Sequence, residues 1–126
     1  GPCYGTPPCT YSDTTCAAGA ICPGGTAVSA ACADRSGFGE NPCACTALQQ
    51  LAALSTTLQA EAPWNDLANM AYCQTGDLNV TCAASIPGVQ LPTAVIGSTA
   101  GLAGALPPSL GELGPSLTEL NLFQNA

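Results

Sequence analysis

With no His and no Lys in the chain, acid–base chemistry falls to eight carboxylates: Asp13, Asp34, Glu40, Glu61, Asp66, Asp77, Glu112 and Glu119. Two of them facing each other across a cleft could hydrolyse a glycosidic bond. Nothing in their spacing selects a pair, and 126 residues leave little room for a cleft. The serines have no base partner in sequence. No Gly-rich phosphate loop follows a strand pattern, and no Asp-x-Asp-x-Asp calcium loop occurs. The expectation is a protein that is not an enzyme and uses no cofactor or metal.

Nine cysteines, at positions 3, 9, 16, 22, 32, 43, 45, 73 and 82, carry the other chemistry. Without His, and with irregular spacing, they read as disulfides formed in an oxidising compartment rather than as zinc ligands. Cys43-x-Cys45 lacks the two-residue spacer of a redox pair and reads as two structural cysteines with different partners. An odd total leaves one thiol free, paired between chains, or paired with a cysteine beyond this sequence. The Gly1-Pro2 start reads as a processed mature form or a fragment.

Charge narrows the partners. Arg35 is the only cation and the net charge is -7. Binding nucleic acid or an anionic membrane surface needs a cluster of Lys and Arg that the chain lacks. Residues 80–111 contain no charge, but Pro87, Pro92, Pro107 and Pro108 interrupt them, so no membrane insertion is expected. Only 7% of residues are charged, and sugars would help solubility. Asn79-Val80-Thr81 is an acceptor for N-glycosylation.

The elements follow from the pattern. Residues 1–42 hold turn formers such as Pro7-Pro8, Pro23-Gly24-Gly25 and Ser36-Gly37. They predict an irregular, disulfide-stapled module with at most short strands. Within it, Cys16-x-x-Gly19-x-x-Cys22-Pro23-x-Gly25-Thr26, with Cys32 following, is similar to small cysteine-rich repeats of receptor ectodomains. From residue 43, Leu48, Leu51, Leu54 and Leu58 make one apolar stripe, which predicts a helix over 43–60. Pro42 suits its first turn. A short helical turn is expected after Pro63-Trp64.

Near the end, Leu102, Gly104, Leu106, Pro107, Pro108, Leu110, Gly111 and Leu113 run into Leu117, Leu120, Leu122 and Asn125. This pattern resembles the plant-type leucine-rich repeat. The preceding helix, Trp64, Cys73 and Val80-Thr81-Cys82 look like that family's N-terminal cap. The resemblance spans residues 43–126 and implies a disulfide between Cys73 and Cys82. Asn125 aligns with Ala100, 25 residues earlier, with a first strand near 93–97. Gly97 departs from the pattern by replacing a Leu. The implied fold class is small, disulfide-rich α+β: the cysteine-rich module at 1–42, then the cap and one to two repeats at 43–126, the start of a solenoid.

In that family the intervening strand residues line the concave face, here Thr118, Glu119, Asn121, Phe123 and Gln124. One repeat cannot bury its own apolar edge. The open end would then expose Leu110, Leu113, Leu117, Leu120 and Leu122. The function expected from this is an extracellular or cell-surface structural glycoprotein that self-associates into a homo-oligomer or a filament. The alternative is the N-terminal piece of a leucine-rich repeat receptor or inhibitor ectodomain that binds protein, peptide or glycan.

Overall fold

A computed structural model describes residues 6–98 and 100–122. Its described elements are α1 (Pro42–Ala52), α2 (Thr56–Gln59), β1 (Asn79–Ile86), β2 (Val89–Ile96) and β3 (Glu119–Asn121), with 3-10 turns at Ala30–Cys32, Leu67–Asn69 and Pro108–Leu113. The protein is a small α+β fold bound by four disulfides.

Helix α1 starts where the sequence places its signals. Asn41 is the N-cap, its side-chain oxygen accepting from the Ala44 amide at 3.0 Å, and Pro42 opens the first turn. The same side chain donates to the carbonyls of Thr10 and Asp13, both at 2.8 Å. One cap residue thus starts the helix and holds the N-terminal segment on it.

The helix expected over 43–60 is two helices. Ser55 is the cause. Its hydroxyl accepts from the Leu58 amide at 3.1 Å and donates to the Ala100 carbonyl at 2.8 Å, so it caps α2 instead of sitting inside a longer helix. Leu48, Leu51 and Leu58 are still fully buried, and Leu54 packs against the same core.

β1 and β2 form an antiparallel hairpin that pairs Asn79 with Ile96, Val80 with Val95 and Ile86 with Val89. Pro87-Gly88 turns it, with Gly88 at φ 82°, where a side chain would strain the backbone. β2 then pairs in parallel with β3, joining Ala94 to Glu119, Val95 to Leu120 and Ile96 to Asn121. The order is β1-β2-β3. The Thr118 amide extends the parallel ladder to the Thr93 carbonyl (2.8 Å), and the Gly97 amide extends it to the Asn121 carbonyl (2.7 Å). Gly97 has a packing reason: a Cβ there would come within 2.8 Å of a Leu78 methyl and 3.1 Å of a Leu122 methyl.

The link from β2 to β3 lies over α1, where the Ser109 hydroxyl donates to the Gln50 side chain at 2.6 Å. The main core joins α1 to the sheet, and a smaller cluster of Cys9, Ala20, Cys22, Val28 and Cys43 lies in the N-terminal part. Cys22–Cys43 and Cys32–Cys45 fasten that part to α1, so the disulfides cross the 42/43 boundary drawn from composition.

Candidate functional site

The candidate surface is the β3 edge of the sheet. Val80, Val95 and Leu120 pair in register and form one apolar row across all three strands. Val80 is 3% exposed, Val95 is fully buried, and Leu120 is 43% exposed. The row therefore begins in the core and ends in solvent. All three residues of β3 are exposed.

The exposed set is narrower than the sequence implies. Of Leu110, Leu113, Leu117, Leu120 and Leu122, only Leu120 is exposed, and over less than half of its surface. Leu113 is buried, because the 3-10 turn at Pro108–Leu113 folds it back onto the core beside α1. Leu110, Leu117 and Leu122 are partly buried against the same core. The intervening residues also divide. Glu119 and Asn121 share one face of β3, opposite Leu120. The Thr118 hydroxyl is instead committed to the Thr93 carbonyl at 2.9 Å. Phe123 and Gln124 lie outside the described residues.

Asn79 is the first residue of β1 and is half-buried, while Thr81, the third residue of its acceptor motif, is exposed. A bridge between Cys73 and Cys82 ties β1 to the segment before it. The remaining described cysteines form Cys9–Cys16 and the two bridges to α1. Cys43 and Cys45 thus serve different partners. The sulfurs of Cys9, Cys22 and Cys43 lie within 4.8 Å of one another, each already in a disulfide. Cys3 lies outside the described residues.

The carboxylates acquire particular neighbours. Glu40 and the lone cation Arg35 form a buried ion pair at 2.6 Å. Arg35 also donates to the carbonyls of Leu67 and Met70, and its guanidinium lies 4.7 Å from the centre of the Phe38 ring. Glu40 accepts from the amides of Tyr72 and Cys73, at 3.1 and 3.0 Å. Tyr72, whose hydroxyl is pushed far up by burial, donates to the Gln90 carbonyl and accepts from the Asn41 amide. This network joins the N-terminal part, α1, the segment before β1 and β2.

Glu112 does the same on the other side. It accepts from the Tyr11 hydroxyl at 2.8 Å and from the amides of Gly24 and Thr26 at 2.9 and 3.0 Å. Burial alone would raise its pKa, but these hydrogen bonds outweigh it and hold the carboxyl below its usual range. Burial, and then the bond to Glu112 and its charge, push Tyr11 up to about 12.

The fold does bring two carboxylates together, Glu61 and Asp77, which the sequence spacing did not select. Desolvation, and then the charge of Asp77 and a hydrogen bond with it, raise Glu61. Both residues are exposed, as a glycosidase pair in a cleft would not be. Asp34 is held low by hydrogen bonds from Ser36 and Thr15.

Sequence reasoning missed the roles of Arg35, Glu40 and Glu112. Arg35 carried one signal, as the single cation of a chain with eight acids. Glu112 carried none, since its partners lie 86 to 101 residues away.

No protein-family model, curated protein or solved structure matches the chain. Among the described residues, no helix is long and apolar enough to cross a membrane. Four disulfides are consistent with folding in an oxidising compartment.

Proposed function

We propose that this is an extracellular, non-enzymatic structural protein that self-associates by extending its sheet from β3 into a second copy. We further propose that β2, the crossover and β3 make a leucine-rich repeat coil of the plant type. Supporting this second part, the parallel register joins residues 25 apart, from Ala94 to Glu119. That is the spacing at which the two repeats align in sequence.

The observation that carries self-association is the apolar row ending at the exposed Leu120. An edge strand with an apolar side chain is a template for pairing. The open part of Leu120 contributes only about 1 kcal/mol when covered. Backbone pairing and the flanking surface must supply the rest, so association should depend on concentration. If β3 meets an unlike surface of the next copy, the contact repeats as an open filament. A glycan at Asn79 belongs to this reading.

The second reading is a recognition ectodomain in a longer polypeptide. The 25-residue register favours it too, because a further coil would cover Leu120 equally well. Glu119 and Asn121 would then contribute to the ligand face. Intact mass and electron microscopy of native material separate the two. Polymers whose polypeptide mass is that of this chain support assembly. A longer polypeptide forming no polymer overturns it.

A further inference from the structure

We propose that a second copy of this chain docks on β3 through a two-fold axis at Leu120, so that association closes as an antiparallel dimer. This docking rests on the reading that β3 extends the sheet into another copy. It adds which surface of that copy is met, and in what register.

Among the described residues the sheet has two edges, β1 and β3. The outer side of β1 is already covered or irregular. Gln74 bridges Val80 there, its amide donating to the Val80 carbonyl at 3.2 Å and its carbonyl accepting from the Val80 amide at 2.9 Å. The Cys73–Cys82 disulfide ties the same segment to β1. Toward the hairpin turn the register with β2 shifts twice, between Thr81 and Cys82 and between Ala83 and Ile86. Covered stretches and bulges keep a sheet edge from recruiting strands. Among the described residues neither device protects β3. Its pairing with β2 runs unbroken from Ala94–Glu119 to Ile96–Asn121, and all three of its residues are exposed. The edge left to meet a β3 is another β3.

Glu119, the one charge on β3, sets the register. A two-fold axis normal to the sheet at Leu120 runs the two strands antiparallel and keeps both cores on one face. Leu120 then lies directly opposite Leu120 of the second copy, close enough for the side chains to touch. The row of Val80, Val95 and Leu120 continues into the same row of that copy in reverse order. Glu119 falls opposite the second copy's Asn121, and Asn121 opposite its Glu119, so each carboxylate meets an amide donor. Centred on Glu119 instead, the strands would set like charges face to face, which is unfavourable.

Sedimentation equilibrium of the native chain should show monomer and dimer and nothing larger. Asn121→Lys puts a cation opposite Glu119 twice per dimer and should tighten it about tenfold. Adding Glu119→Gln to Asn121→Lys should abolish that gain although the net negative charge falls further, which separates pairing from general repulsion. Species larger than a dimer overturn the two-fold contact and leave self-association standing. A monomer at every concentration overturns both. An Asn121→Lys chain that dimerises no more tightly, or a gain kept in the double variant, overturns the register. Should Asn121→Lys not fold, Asn121→Glu decides: a dimer weaker by about tenfold supports the contact, and an unchanged one refutes it.

Discussion

Val95 and Leu120 are partners in the parallel pairing of β2 with β3, and one is sealed in the core while the other is 43% exposed. Paired residues in one row meet the same face of the sheet. Edge position alone does not make the difference, since Val80 on the opposite edge strand β1 is only 3% exposed; the core covers this face beneath β1 and β2 and stops short of Leu120 on β3. A second copy packed beside β3 would continue that cover over Leu120.

Removing one member of the Arg35–Glu40 pair should be the most damaging single change. Both side chains are buried, and Glu40 also holds the amides of Tyr72 and Cys73. Glu40→Gln leaves a buried cation uncompensated and should cost about 3–5 kcal/mol. Replacing both with apolar residues should cost less than the sum of the singles. Urea unfolding with the disulfides intact measures this.

Gly24 should not tolerate a methyl group. A Cβ there would lie 2.6 Å from Glu112 Oε2, so the carboxylate must move and its bonds to Tyr11, Gly24 and Thr26 suffer. Gly24→Ala should destabilise by about 1–3 kcal/mol. Gly37 has no atom within 4 Å of such a Cβ. Gly37→Ala should be neutral or stabilise by up to about 1 kcal/mol. Equal melting shifts in the two variants would contradict the role given to the Glu112 cradle.

Glu112 and Glu61 should give pH dependences of opposite sign. The folded pKa of Glu112 lies below its ordinary 4.5. Its contribution is present above that value and is lost as pH falls through the folded value. The folded pKa of Glu61 lies above 4.5, so the folded state holds its proton longer and stability rises as pH falls through that window. Melting curves from pH 2 to 7 should lose part of their acid-side slope in Glu112→Gln, with Asp34, also held low, keeping a share of it. Asp77→Asn should flatten the part above pH 4.5.

The amino-acid pattern made the local elements legible. Asn41-Pro42 marks the start of α1 through cap chemistry, and the leucine stripe marks its buried side. The spacing of Cys43 and Cys45 argued for separate partners, which they have. The break at Ser55 within the expected 43–60 helix was not legible, because the acceptor that holds its hydroxyl, on Ala100, is 45 residues away. The burial of Leu113 was hidden for a similar reason. Its exposure depends on where the crossover lies, and α1 sets that.

Sedimentation velocity of the native chain over a range of concentrations, beside Leu120→Asp, tests the central proposal most directly. The native protein should grow in mass with concentration. Leu120→Asp should associate at least about tenfold more weakly while remaining folded, since its side chain lies outside the buried core. A native chain that stays monomeric at every concentration, or a folded Leu120→Asp that associates equally well, would contradict the account.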